Sequence, residues 1–305
     1  MQGVKKWEFT SVMDPAVYEA GKPYWFKSRY PGIHGLYSGY FDSGKSRAFV
    51  GSACTLEILN EDGSLVKRMP VFWGNPRQFL IVNASDGSKN LLVGRYQNGF
   101  NNLAIINSKE LKVIGQGYLQ VPSGHTYVNG WSAMNRFDNF LVDLYGDGKR
   151  EVVSAINGAW NRISIYSEDG NPLYNAQFGP GLSDMPRSTM RMMDVGNITG
   201  DEKPEIVVGI ASGLVVVLDG QAKKLWAKAL SSPPTVVKVI KGNGTNWLCV
   251  GSEDGTVTAI GGDGNIIKQG KMNGRPVDLQ MMRTSKGQVA VITTDIGEIN
   301  GFRSN

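Results

Sequence analysis

His125 and Tyr127 stand two residues apart in the segment PSGHTYVNGWSAMNRFDN. Both side chains can take a proton from carbon when placed against it. Arg95, Arg136 and Arg162 are the cations that chemistry on a carboxylate-bearing sugar would need. A lyase acting on uronic-acid polysaccharide neutralises the carboxylate with such a cation, then removes the C5 proton with His or Tyr. That makes His125 and Tyr127 the candidate bases. Hydrolysis of a glycosidic bond would need a pair of carboxyl groups. The same loops carry few acids, chiefly Asp138, Asp184, Asp254 and Asp295, with no evident pair.

A second reading of these residues needs no catalysis. Loops between apolar runs bring together Arg77, Arg95, Tyr96, Asn98, Trp131, Arg136, Asn157, Trp160, Arg162, Arg187 and His34 as candidate ligand-binding residues, with Tyr24, Trp25 and Arg29 nearby. Aromatic faces stack on sugar rings, and the forked Arg and Asn groups reach hydroxyls and carboxylates. This composition suits an anionic glycan or a protein loop. Plainer roles exist for some of the set. Trp73 and Trp160 can pack between elements, Tyr24, Trp25 and Phe26 can plug a loop onto the fold, and His34 or His125 can be a satisfied turn histidine.

The elements that position these loops repeat. The stretch DVGNITGDEKPEIVVGIASGLVVVLDGQAKKLWAKAL reads as strand, acidic turn, apolar strand, turn, apolar strand, Asp-Gly turn and a strand carrying Trp. The same order recurs along the chain, with the first strand of each copy near residues 36, 77, 140, 190, 235 and 277. A four-stranded unit of ~40–45 residues is the pattern of a propeller blade. We expect an all-β, six-bladed β-propeller of four-stranded blades, forming one domain over residues 1–305. Its blades would span about 36–73, 77–121, 140–178, 190–230, 235–272 and 277–305. A β-sandwich with accidental periodicity fits six aligned copies poorly.

The last copy stops one strand short. GVKKWEFT, residues 3–10, matches AKKLWAKAL at the fourth strand of the 190–230 copy, Lys-Lys before Trp in both. Residues 3–10 are therefore expected to close the last blade, with a lead-in loop over 11–35. Helical patterning is confined to a short stretch around Asp14 to Gly21. In such a ring the second-to-third and fourth-to-first strand loops share one face. The aromatic and basic loops above lie on that face, and the acidic turns on the other.

NITGDEKPEIVVG and DLYGDGKREVV resemble the FG-GAP or VCBS-type repeat of integrin-like and bacterial extracellular propellers. GLVVVLDGQAKKLWAKAL is similar to the pyrroloquinoline-quinone-type propeller repeat, but six blades argue against the eight-bladed quinone enzymes. The FG-GAP resemblance implies a structural Ca²⁺ in each acidic turn, held by oxygen ligands at alternating positions. Carried over to this chain, one set is Asp143, Asp147 and Glu151 with the Lys149 carbonyl. The other is Asn197, Thr199, Asp201 and Glu205 with the Lys203 carbonyl. Tyr145 stands where the family has Asp or Asn, and Glu202 where it has Gly. The alternative is that these side chains cap the turns through backbone N–H groups.

Composition bounds the rest. The chain has 305 residues, 41% hydrophobic, with 39 glycines. That suits a large core of short strands joined by tight turns. A net charge of +5 without a basic run points away from nucleic acid and toward a mild preference for anions. Cys54 and Cys249 read as buried thiols. No apolar stretch is long enough to insert in a membrane. The resemblance and the glycan reading together imply an extracellular or periplasmic protein. Three functions follow as expectations: a propeller that binds polysaccharide or a protein partner, a uronate lyase, or a subunit of a larger surface assembly.

Overall fold

The computed structural model describes residues 4–42, 44–71, 74–96, 103–115, 136–156, 161–170, 172–178, 189–242, 245–284 and 287–302. Among the described residues a single helix, α1 (Pro15–Gly21), precedes the strands. Asp14 caps it, its side chain accepting from the Ala16 N–H at 2.9 Å, and Pro15 occupies the first turn where no N–H is needed.

Among the described residues the strands group into six antiparallel sheets, each in chain order. The first holds β1 (Gly35–Tyr40), β2 (Ser46–Ser52), β3 (Thr55–Leu59) and β4 (Leu65–Pro70). The second holds β5 (Asn75–Asn83), β6 (Lys89–Tyr96), β7 (Leu103–Asn107) and β8 (Lys112–Gly115). The third holds β9 (Arg136–Val142), β10 (Glu151–Ile156), β11 (Arg162–Ser167) and β12 (Pro172–Gln177). The fourth holds β13 (Met190–Gly196), β14 (Glu205–Ile210), β15 (Leu214–Leu218) and β16 (Lys224–Ala229). The fifth holds β17 (Pro234–Ile240), β18 (Trp247–Ser252), β19 (Thr256–Gly261) and β20 (Ile266–Lys271). The sixth holds β21 (Pro276–Thr284), β22 (Gly287–Thr294) and β23 (Ile299–Phe302). This is an all-β propeller fold of about six blades.

The burial of each strand explains its sequence. Central strands such as β14 (EIVVGI) and β18 (WLCVGS) are buried along their whole length. A strand covered on both faces reads as a continuous apolar run. Outer strands alternate, as in β16 (KLWAKA), with one face packed and one in water. Backbone packing divides the chain into two compact units, Met1–Leu141 with Tyr166–Pro172, and Val142–Ile165 with Leu173–Asn305. The division passes through the third sheet.

In the first unit, Phe49, Leu56 and Ile58 of the first sheet pack on Phe79, Leu91 and Ile106 of the second. Gly51 allows the approach, since a Cβ there would lie 2.4 Å from the Pro76 carbonyl oxygen. In the second unit, Val207, Val215 and Val217 of the fourth sheet pack on Val237, Leu248 and Ile260 of the fifth. Cys249, Val257 and Met272 of the fifth then pack with Leu279, Ala290 and Ile292 of the sixth.

Residues 4–10 have no strand pairing, and the sixth sheet has three strands among the described residues. Trp7 instead docks on the β3–β4 turn. Its indole N–H donates to the Glu61 carbonyl at 3.0 Å, and a Cβ on Gly63 would lie 2.6 Å from the ring. Trp226 of β16 does the same on the β19–β20 turn, donating to the Gly262 carbonyl at 2.8 Å, with its ring 3.0 Å from a Cβ on Gly264. Gly63 and Gly264 both have positive φ, +82 and +79. The Lys-Lys-Trp match thus marks a shared docking geometry, with residues 4–10 standing to the first sheet as β16 stands to the fifth.

Candidate functional site

The lead-in segment is anchored before it displays anything. Glu57 is fully buried in β3. Its carboxylate accepts from the Ser11 hydroxyl at 2.5 Å, the Val12 N–H at 3.2 Å and the Arg68 guanidinium at 2.8 Å. A buried carboxylate is tolerable only with this degree of satisfaction. The Asp14 N–H donates to the Thr55 hydroxyl at 3.0 Å, and the Met13 N–H to the Arg29 carbonyl at 2.9 Å. Met13 and Val17 pack with Cys54, Tyr18 and Phe26 over the β2–β3 turn. Gly21 leaves room for Phe26, whose ring would lie 2.3 Å from a Cβ there.

Beyond this anchor the segment turns outward. Tyr24 and Trp25 are 76% and 67% exposed, with ring centroids 5.6 Å apart. Tyr30 is also exposed, and the Arg29 guanidinium lies 5.3 Å from its ring centroid while donating to its hydroxyl at 3.2 Å. Of the three residues that could plug the loop, only Phe26 packs inward.

His34 follows, its N–H donating to the Gly51 carbonyl at 2.7 Å. The next residue, Gly35, lies so close to Arg77 that a Cβ would meet the Arg77 carbonyl oxygen at 2.7 Å and its Cα at 2.9 Å. Partial burial, and then the Arg77 charge, hold the His34 imidazole below its ordinary pKa. The structure therefore brings His34 and Arg77 together. Strand register adds two more positions to the same end of the second sheet, since Arg95 pairs with Pro76 and Tyr96 with Asn75. The backbone of Arg136 opens β9. The side chains of Arg95, Tyr96 and Arg136 lie outside the described residues, as do His125, Tyr127, Asn98, Trp131, Asn157, Trp160 and Arg187 altogether.

Arg162 is placed differently from the expectation. It is 1% exposed at the start of β11, and its Nε donates to the Ser164 hydroxyl at 3.2 Å. Ser164 in turn donates to the Asn175 side-chain oxygen at 3.0 Å. β11 is buried on both faces from Arg162 to Tyr166, so the guanidinium there holds sheet residues instead of reaching solvent. Two contributors were missed by sequence reasoning. Tyr30 was signalled only by its adjacency to Arg29, and Glu57 by a lone acid inside the apolar run TLEIL.

The acidic turns use their oxygens on the backbone. Asp143 accepts from the N–H groups of Gly146 at 2.7 Å, Asp147 at 3.2 Å and Gly148 at 2.8 Å. Desolvation works against ionisation there, but these N–H donors hold the Asp143 carboxyl below the usual range. Asp147 accepts from Lys149 N–H, and Glu151 from Leu144 N–H. In the second turn Asn197 accepts from Gly200, Asp201 from Lys203, and Glu205 from Ile198 and from both groups of Thr199. Among the described residues no three His, Cys, Asp or Glu side chains converge. This donor set fits turn capping.

Tyr145, which breaks the acidic pattern, has a structural reason. Its hydroxyl donates to the Gly220 carbonyl at 2.9 Å, on the β15–β16 turn of the fourth sheet. The equivalent Ile198–Thr199 pair presses on Gly262 of the fifth sheet, where a Cβ would lie 2.5 Å from the Ile198 carbonyl oxygen. Each acidic turn thus latches one sheet to the next.

Comparison with known proteins agrees with this architecture. A family model described as the lambda-carrageenase beta-propeller domain matches residues 166–274, roughly a third of the chain. The matched family is not the FG-GAP or VCBS type that the acidic turns resemble. No curated protein matches the chain. Among solved structures, BBS1N in complex with ARL6DN is similar at TM-score 0.62 and 14% identity, over 88% of this chain and 78% of that one. The Dos1 propeller is similar at TM-score 0.61 and 12% identity, over 90% and 69%. The WD40 beta-propeller domain of Doa1 is similar at TM-score 0.53 and 12% identity, over 90% and 79%. These likenesses show the propeller fold.

Proposed function

We propose that this chain is an extracellular or periplasmic binding propeller that holds an acidic polysaccharide on the face displaying Tyr24, Trp25, Arg29, Tyr30, His34 and Arg77. The observation that carries the reading is the exposed aromatic and guanidinium cluster at residues 24–30. Two neighbouring rings and a cation-capped third are exposed on an anchored segment. Exposed aromatics on a rigid support suit sugar stacking, because little side-chain entropy is lost on binding. The partial match to a lambda-carrageenase propeller domain supports a polysaccharide over a protein ligand.

The test is calorimetric titration with a panel of acidic polysaccharides, carrageenans included. Trp25→Ala and the pair Arg29→Ala with Arg77→Ala should each weaken binding by about tenfold, or ~1.4 kcal/mol. Wild-type affinity in both variants, or no binding across the panel, would refute the reading. Binding should also strengthen as pH falls from 7.5 toward 5, because His34 becomes cationic only below its ordinary pKa of about 6.5. His34→Gln should flatten that dependence. Release of unsaturated sugar, read by ultraviolet absorbance, would move the assignment to a lyase.

A further inference from the structure

The junction between the fifth and sixth sheets departs from its neighbour at three register positions. In the fourth sheet Trp226 stands opposite Val217, and Lys228 opposite Val215. In the fifth sheet the same positions hold Lys268 opposite Ala259, and Gly270 opposite Val257. An indole, a lysine stem and a valine become a lysine, a glycine and an alanine. A cavity of about 540 Å³ lies at these positions, lined by Trp247, Val257, Ala259, Lys268, Gly270 and Phe302 among others. Small-molecule sites run to roughly 300–1,000 Å³.

The walls are unlike an ordinary packing defect. Two aromatic residues, Trp247 and Phe302, contribute to them. Trp247 is 6% exposed, and its indole N–H has no acceptor among the described residues. A buried donor without a partner costs about 1–3 kcal/mol, so an acceptor brought by a ligand would recover much of it. The side chain of Lys268, on the exposed outer strand, has no hydrogen bond or ion pair among the described residues. Among the described residues no carboxylate lines the cavity, and Cys249 there is a neutral thiol, its pKa pushed up to about 12 by burial. The site is apolar and aromatic, with a donor and a single unpaired cation.

We propose that this cavity binds a small aromatic anion. Its ring takes the place that the Trp226 indole fills at the preceding junction, and its carboxylate or sulfonate pairs with Lys268. This site lies wholly within the second unit and does not depend on the glycan reading, so the two can fail separately.

The experiment is a fluorescence titration of the full chain with 8-anilinonaphthalene-1-sulfonate, followed by displacement with indole-3-acetate. Saturable binding at one site with a Kd below about 100 μM is expected. Lys268→Trp, which restores the residue of the preceding junction, should weaken it at least tenfold while keeping or raising the melting temperature. Lys268→Gln should weaken it several-fold and remove most of its salt dependence. In the NMR spectrum indole-3-acetate should shift the Trp247 indole N–H resonance. Absence of saturable binding up to about 1 mM, or Lys268→Trp binding as the wild type does, would overturn the proposal.

Discussion

The fourth-to-fifth and fifth-to-sixth sheet junctions share a strand order and register but are filled in opposite ways. At the first, Trp226 covers the valine core, its N–H satisfied by the Gly262 carbonyl, and the Ile198–Thr199 turn presses on the same glycine. At the second, Lys268 holds the tryptophan position and a cavity lies beneath it. The lesson is that a repeat can keep its backbone while exchanges at a few register positions accompany the change from a packed seam to a pocket. Interiors are close-packed, so a vacated indole is not absorbed by small shifts of its neighbours.

The widest separation between the two junctions should come from truncation. Trp226→Ala should cost about 2–4 kcal/mol of stability, because Trp226 is partly buried and hydrogen-bonded. Lys268→Ala should change stability by no more than about 0.5 kcal/mol. Urea unfolding of both variants checks this, and equal losses would break the comparison. Glycine substitutions should separate the junctions next. Gly262→Ala drives a Cβ into the Ile198 carbonyl oxygen and should cost about 1–3 kcal/mol. Gly270→Ala meets only Phe302 at 3.4 Å and should be neutral within about 0.5 kcal/mol. The smallest effect should be a gain, since filling the cavity by Lys268→Trp should add about 0.5–2 kcal/mol. A loss there would mean that the two junctions differ in more than side-chain volume.

The fold was legible because its signal is local and repeated. Asp-Gly turns at fixed offsets from apolar runs such as EIVVGI and TVTAIG locate strands directly. The first strands of the six sheets begin at Gly35, Asn75, Arg136, Met190, Pro234 and Pro276, close to the expected 36, 77, 140, 190, 235 and 277. The short helix was visible as helical patterning around Asp14 to Gly21, and the structure adds Asp14 as its cap. The site was legible in part. His34 and Arg77 come together because both sit where a first strand begins. Arg162 could not be placed from sequence, since an arginine at a loop–strand boundary reads the same whether it faces water or a buried serine.

The sequence by itself determined the repeat, the four-stranded unit and the Lys-Lys-Trp match, all of which are patterns of residue type along the chain. Only the tertiary structure decided that the carboxylates of the acidic turns cap backbone N–H groups, that Tyr145 latches to Gly220, and that Glu57 anchors the lead-in segment. It also decided that Lys268 overlies a cavity where Trp226 overlies a core. These are contacts between residues far apart in the chain. A carboxylate or a lysine carries no mark of which distant partner, if any, the folded backbone will bring to it.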